Sequence, residues 1–303
     1  MTIYNTISQL LPTGLTLPNE PMSRHTSFKI GGPAEVYAMP ETTSQLQQIW
    51  QACLKNNWPV TVLGGGCNVL VSDAGIKGVV IATGNMKQIH IDHDAQTITA
   101  GSGTRLGTLA EAACKAGLSG LEFASGIPGT VGGAVYMNAG AYGHEIKDVC
   151  EAVQALLPTG ETPLYERAQL GLAYRTSRFQ STNEIITAAT FRLTPKNPEE
   201  IRAYTTELNN RRKQSQPLDY PSAGSAFKRP AIQGVYAARL IDDHGLKGLT
   251  IGGAQVSEKH AGFIINKAGA TANDVTNLIA KIQETIQAKS GIKLEPEVQL
   301  LGF

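Results

Sequence analysis

Residues 126–143 read GIPGTVGGAVYMNAGAYG, and this stretch decides what kind of protein the chain is. Six of its eighteen residues are glycine. The remainder is apolar and ordered, whereas a flexible tether would carry serine and charge. Glycines this dense let backbone N–H groups close on an anionic group, because no Cβ intervenes and positive φ is sterically free. Two further clusters lie upstream: Gly64, Gly65, Gly66, Cys67 and Asn68, then Gly101, Ser102 and Gly103. Each ends what reads as a β-strand. One such loop reads as a tight turn. Three of them point to a long phosphate-bearing ligand held by backbone.

Two common nucleotide sites are excluded. A dinucleotide fingerprint needs GxGxxG opening a helix, and the run from Gly101 through Gly103 to Gly107 has one residue too many before its last glycine. No GxxxxGK[ST] occurs, which argues against a P-loop hydrolase. With 303 residues, 42% apolar and 17% charged, the chain has the composition of a globular enzyme of two or three domains. Its formal charge of +1 argues against a nucleic-acid partner. No apolar run reaches the roughly 20 residues of a membrane helix, and the N-terminus shows no signal peptide. A cytoplasmic location is expected, and no protein partner can be inferred.

The four cysteines, at 53, 67, 114 and 150, form no CxxC pair and no zinc framework. Cys53 and Cys114 fall in helical apolar patterns and read as buried thiols. His90 and His93 are close, but their segment reads as a strand entering a hairpin turn. No metal site is expected.

Residues 43–57 predict an amphipathic helix through Leu46, Ile49, Trp50, Cys53 and Leu54, capped by Thr42 or Thr43 and ended by Pro59. Strands are expected at 60–63, 69–71 and 78–82, closing a small α/β subdomain over 1–83. A hairpin at 88–92 and 97–100, a helix through Leu109 and Cys114 stopped by Gly117, and strands at 149–157 and 184–193 make a second unit over 84–197. Residues 199–214 predict a linking helix with Ile201, Tyr204 and Leu208 on one face. The last block, 198–303 with the linking helix at 198–214, holds a short segment at 235–241, a strand at 262–266 and a helix over 273–290. Thr271 can cap that helix and Gly291 can stop it. The expected organisation is three subdomains of mixed α+β structure.

Six ordered motifs then give the chain a family likeness. They are HTSFKIGGPA from His25, GGGCNVLVSD from Gly64, the segment 126–143, YRTSRF from Tyr174, PSAGSAFK from Pro221, and LEPEV from Leu294. Together they span roughly residues 22–303 and resemble the UDP-N-acetylenolpyruvoylglucosamine reductase family (MurB). The resemblance implies the FAD-binding fold of the vanillyl-alcohol-oxidase (PCMH) type in two subdomains, with non-covalent FAD, plus a C-terminal α+β domain that binds a UDP-sugar. The compact last block looks like the family's shorter class, which lacks substrate-covering insertions.

The activity implied is NADPH-dependent, FAD-mediated reduction of an enolpyruvyl ether to a lactyl ether, a step of peptidoglycan precursor synthesis. Hydride at the β-carbon leaves negative charge on the α-carbon and its carboxylate, which must be stabilised and then protonated. By the resemblance Ser225 is the proton donor, and Arg175 and Glu297 polarise the substrate carboxylate. Lys213 and Lys228 are candidate cations beside Ser225 and the substrate, and Tyr174 is a candidate stacking residue. The residues alone also allow a turn serine, a structural ion pair and a core tyrosine. Gly64, Gly65, Gly66, Cys67 and Asn68, with Gly126, Ile127, Pro128, Gly129 and Thr130, are expected to cradle FAD through backbone N–H groups. Cys67 departs from the serine usual in that loop, which removes a hydroxyl but no backbone contact. A flavin oxidase, or a nucleotide-sugar binding protein without redox activity, would share the cradle. The latter has no need of Arg175, Ser225 and Glu297.

Overall fold

The computed structural model describes residues 2–303. The chain folds as two compact units. Unit 1 takes the chain as far as Pro18, then Val36–Gly65 and Gly78–Arg212; unit 2 takes Asn19–Glu35, Gly66–Lys77 and Lys213–Phe303. This partition is coarser than three subdomains, and it gathers 19–35 and 66–77 with the C-terminal block.

Unit 1 is organised around two sheets. The first orders its strands Thr16–Pro21, Pro33–Ala38, Ile76–Ala82 and Val60–Leu63, the last two parallel with Val60 opposite Val79. The helix Thr43–Lys55 lays Leu46, Ile49, Trp50 and Cys53 on Val36, Val79 and Ile81. Its start is set by Thr42, whose hydroxyl accepts from the Gln45 N–H. Burial pushes the Cys53 thiol up to about 12, so this cysteine is packing material and not a nucleophile.

The second sheet is antiparallel, in the order Leu164–Glu166, Cys150–Leu156, Ile185–Arg192, Thr97–Gly101, Ile89–Asp92. His90 lies in its edge hairpin opposite Thr99, and Asp92 accepts from the Ala95 N–H in the turn. Alternate residues Ile98, Ala100, Val153 and Ala155 meet Leu106, Leu109 and Ala113 of the helix Leu106–Lys115. That helix stops before Gly117, at φ +68°.

One expectation needs correcting, and one helix lies where none was expected. The helix Pro198–Ser215 buries only Ile201 and Leu208, and Tyr204 is 41% exposed. Residues seven apart define a narrow stripe, and Tyr204 falls on its flank. Residues 131–136 within the glycine-rich stretch form a helix, Val131–Tyr136, although two of its six residues are glycine. Val131 and Val135 bury in the unit 1 core and fix it there, so packing overrides propensity.

Unit 2 carries an antiparallel sheet, Ser222–Ser225, Phe263–Asn266, Ala254–Val256, Thr250–Ile251. The helix Ala272–Ser290 packs Val275, Leu278, Ile279, Ile282 and Ile286 into its core. Phe28, Ile30 and Leu70 share that core, and Val69–Val71 pairs in parallel with Gln299–Leu301. The segment expected at 235–241 is the short helix Ala237–Asp243.

Candidate active site

In unit 1 the glycine loops converge. The turn after the strand Thr97–Gly101 bonds to the loop ending at Thr130: the Val131 N–H donates to Thr104 O at 2.9 Å and the Gly132 N–H to Ser102 O at 2.8 Å. A Cβ on Gly103 would lie 2.0 Å from the Thr83 carbonyl, and one on Gly64 would lie 2.6 Å from Thr130 Oγ1. At Gly103 a side chain would strike backbone, and at Gly64 it would force the Thr130 hydroxyl aside. The hydroxyls of Thr104 and Thr130 are buried without a hydrogen-bond partner. Thr130 occupies the N-cap of Val131–Tyr136, yet its side chain caps nothing. Two orphaned hydroxyls in a cradle cleared of Cβ atoms fit a ligand rich in acceptors, as FAD is.

The structure narrows the expected donors. Pro128 has no N–H, and the Ile127 N–H already donates to Ala124 O at 3.0 Å. Gly126, Gly129 and Thr130 are left as the backbone donors of that segment. Gly126 packs on the helix Pro198–Ser215, where a Cβ would meet Asn209 Oδ1 at 2.6 Å and Arg212 Cδ at 3.0 Å. Burial lowers the Arg212 pKa, its largest influence, so a cation stands beside this loop in a partly desolvated place.

Tyr174 and Arg175 are the central residues of a tight turn closed by Ala173 and Thr176, whose N–H and C=O groups bond reciprocally at 3.0 Å. Arg175 has φ +53°, which positions its side chain at some conformational cost. Its guanidinium lies 5.0 Å from the centre of the Tyr174 ring, a cation–π distance. The tyrosine is therefore a partner of Arg175 and not a core residue; it is 42% exposed.

In unit 2, four of the sequence motifs are tied together. The Ser27 N–H donates to Gly66 O at 3.0 Å and its hydroxyl to Ser222 O at 2.6 Å. Asn68 Nδ2 donates to the Glu297 carbonyl at 3.2 Å. Ser225 ends the strand Ser222–Ser225, and the next carbonyl, Ala226 O, accepts the Glu297 N–H at 2.9 Å. The Lys228 N–H donates to Glu295 O at 2.8 Å, so Phe227 and Pro296 face each other between these bonds. Ser225 thus directly precedes Ala226, the backbone partner of Glu297, although positions 225 and 297 are 72 residues apart in sequence.

Lys228 Nζ lies 2.6 Å from Glu295 Oε1, so its charge is already compensated. This separates the two glutamates: Glu295 holds the lysine at the surface, while Glu297 is half-buried beside the Ser225 strand. Lys213 begins the C-terminal segment of unit 2, its carbonyl accepting from Lys259 Nζ at 2.6 Å. Arg175 and Tyr174 belong to unit 1; Ser225, Glu297, Lys213 and Lys228 belong to unit 2. The loop at 64–68 passes from unit 1 to unit 2 after Gly65.

The sequence marks the loop at 101–103 by its glycines and Arg212 by the basic run Arg211, Arg212 and Lys213, but neither is carried into the expected site, and Thr104 is not singled out at all. Thr104 has no such signal, because what marks it is a buried hydroxyl without a partner.

Comparisons with known proteins agree with this anatomy. Residues 33–163 match the model of an FAD binding domain, and residues 216–301 match that of the UDP-N-acetylenolpyruvoylglucosamine reductase C-terminal domain. The chain is 49% identical to the UDP-N-acetylenolpyruvoylglucosamine reductase of Agathobacter rectalis, over 99% of this chain and 98% of that one. The crystal structure of the Thermus caldophilus enzyme (MurB) superposes with a TM-score of 0.79 at 36% identity, covering 94% of this chain and 98% of that one. A variant of Phl p 4, a glucose oxidase, shares only the fold, with a TM-score of 0.51 at 18% identity over 65% of this chain and 45% of that one. The FAD-binding fold, the C-terminal domain and full-length identity near one half lead to one conclusion: this chain belongs to the UDP-N-acetylenolpyruvoylglucosamine reductase family.

Proposed function

We infer that the chain is a UDP-N-acetylmuramate dehydrogenase, reducing UDP-N-acetylglucosamine enolpyruvate to UDP-N-acetylmuramate with NADPH as reductant and FAD as cofactor. The observation that carries this reading is the juxtaposition in unit 2 of Ser225 and Glu297 on adjoining backbone, in a chain whose unit 1 holds a cradle with two orphaned threonine hydroxyls. Bound FAD would supply the hydride-transfer chemistry that links NADPH to the β-carbon of the enolpyruvyl ether. Gly64, Gly126, Gly129, Thr130 and Thr104 would hold it, by close backbone approach and by the two hydroxyls.

The side chains do the rest. Charge that builds on the substrate's α-carbon spreads into its carboxylate. Arg175 offers that carboxylate a planar two-pronged donor. Glu297 helps only in its protonated form or with a cation between the two carboxylates. Ser225 Oγ then gives its proton to the α-carbon and is reprotonated by solvent. Tyr174 holds the Arg175 guanidinium, and Lys213 and Lys228 serve the acidic end of the UDP-sugar. Lys228 does so by exchanging Glu295 for the ligand. In this reading 1–83 and 84–197 serve the flavin and 198–303 the sugar, with 19–35 and 66–77 belonging to the same compact unit as 213–303. Four unbridged cysteines and a substrate pair of NADPH and nucleotide sugar support a cytoplasmic location.

The test is stoichiometric. Purified holoenzyme with NADPH and the enolpyruvyl ether should form one lactyl ether per NADPH oxidised, the product heavier by two hydrogens. NADPH oxidation that depends on oxygen and leaves the ether unchanged would refute the reading.

A further inference from the structure

We propose that Asn138 is the positioning residue for Arg175, joining the end of the glycine-rich segment to the turn that presents the arginine. The inference rests on the reading of Arg175 as the group that receives the substrate carboxylate. Asn138 is fully buried, and all of its side-chain hydrogen-bonding groups have partners. Nδ2 donates to the Ala173 carbonyl at 2.8 Å and to Glu145 Oε2 at 3.0 Å, and Oδ1 accepts the Lys147 N–H at 2.8 Å. Ala173 is the first residue of the Tyr174–Arg175 turn, so one bond runs directly from the buried amide into that turn.

A second clamp works from the same place. The Tyr136 carbonyl, at the end of the helix Val131–Tyr136, accepts from Ser177 Oγ at 2.7 Å and from Gln180 Nε2 at 2.8 Å. Gln180 Nε2 also donates to the Arg175 carbonyl at 3.0 Å. A helix-end carbonyl that would otherwise lack a partner is satisfied by the residues following the turn. The backbone is in the left-handed region at both ends of the link, φ +41° at Asn138 and φ +53° at Arg175. Asparagine tolerates that region better than most residues and also supplies the two donors. A left-handed arginine persists only where its surroundings over-determine it. The segment 126–143 therefore has two functions: its start lines the cradle and its end sets the arginine.

The test uses holoenzyme and follows the two half-reactions separately under anaerobic conditions. Asn138→Gly removes the side chain while keeping the backbone freedom, and Asn138→Asp keeps the shape but loses both donors. Flavin reduction by NADPH should change less than about two-fold, while reoxidation by the enolpyruvyl ether should slow roughly 10- to 100-fold, the scale of a misplaced catalytic group. Gln180→Ala, at the outer clamp, should show the same pattern more weakly. The deciding readout is the double variant with Arg175→Ala. If Asn138 acts through Arg175, Asn138→Gly adds nothing to the slowing that Arg175→Ala causes. Multiplying effects, or equal slowing of both half-reactions, overturns the proposal. An Arg175→Ala enzyme that reoxidises at the normal rate overturns it differently, by removing the role of the arginine itself.

Discussion

Ser225 is assigned to one event only, proton delivery after the hydride has moved. Ser225→Ala should therefore leave flavin reduction by NADPH within about two-fold of normal while slowing reoxidation by roughly 10²- to 10⁴-fold, the range for loss of a general acid. Equal loss in both half-reactions, measured by stopped-flow absorbance of the flavin, would contradict the assignment. Gly64→Ala tests the cradle. Its new Cβ would meet Thr130 Oγ1 at 2.6 Å, so FAD affinity should fall about ten- to hundred-fold, or roughly 1.4–2.7 kcal/mol. The ratio of flavin to protein absorbance reports it; full retention of colour would show that the loop has room to spare. Ser225, Arg175 and Glu297 were legible only through the resemblance of their motifs. Nothing in the spacing of positions 225 and 297 foretells the Ala226–Glu297 hydrogen bond. Thr104 and Asn138 carried no local signal at all, because an orphaned hydroxyl and a saturated buried amide are properties of the packed molecule.

Among the elements, the helix Ala272–Ser290 shows how far local chemistry reaches. Its capping box joins Thr271 Oγ1 to the Asp274 N–H at 3.1 Å and Asp274 Oδ2 to the Thr271 N–H at 2.9 Å. Thr271→Ala should destabilise the protein by about 1 kcal/mol in urea unfolding. Asp274 also accepts the Gly253 N–H at 3.1 Å. Backbone donation from Thr271, then from Gly253, lowers its pKa. A carboxylate with a lowered folded pKa contributes stability above its ordinary value and loses it as pH falls through the lowered one. The Tm advantage of the natural protein over Asp274→Asn should therefore shrink below about pH 4. A gap independent of pH would contradict that. Caps and periodicity made this helix and Thr43–Lys55 readable in sequence, and alternation with a turn made the hairpin Ile89–Asp92 and Thr97–Gly101 readable. The helix Val131–Tyr136 was hidden by its glycines. Gly132 sits where a Cβ would approach Ser102 Cβ to 2.9 Å, so close packing and not propensity chose the residue.

For the whole molecule, the chain passes between the two units after Pro18, Glu35, Gly65, Lys77 and Arg212. Unit 2 is consequently not the C-terminal block alone. Phe28, Ile30 and Leu70 fill its core, and Val69–Val71 pairs with Gln299–Leu301. A fragment of residues 213–303 should show no cooperative thermal transition; a sharp one would mean that the block folds without 19–35 and 66–77. Motif order in the sequence suggested a linear series of subdomains, because periodicity and turn signals report neighbours along the chain and not returns to an earlier core. The central claim, that the molecule passes electrons from NADPH to an enolpyruvyl ether through FAD, has a direct measurement. The visible flavin band of the holoenzyme is bleached with NADPH in the absence of oxygen, and the enolpyruvyl ether of UDP-N-acetylglucosamine is then added. Rapid return of the band without air is the predicted result. A band that stays bleached until oxygen enters would contradict it.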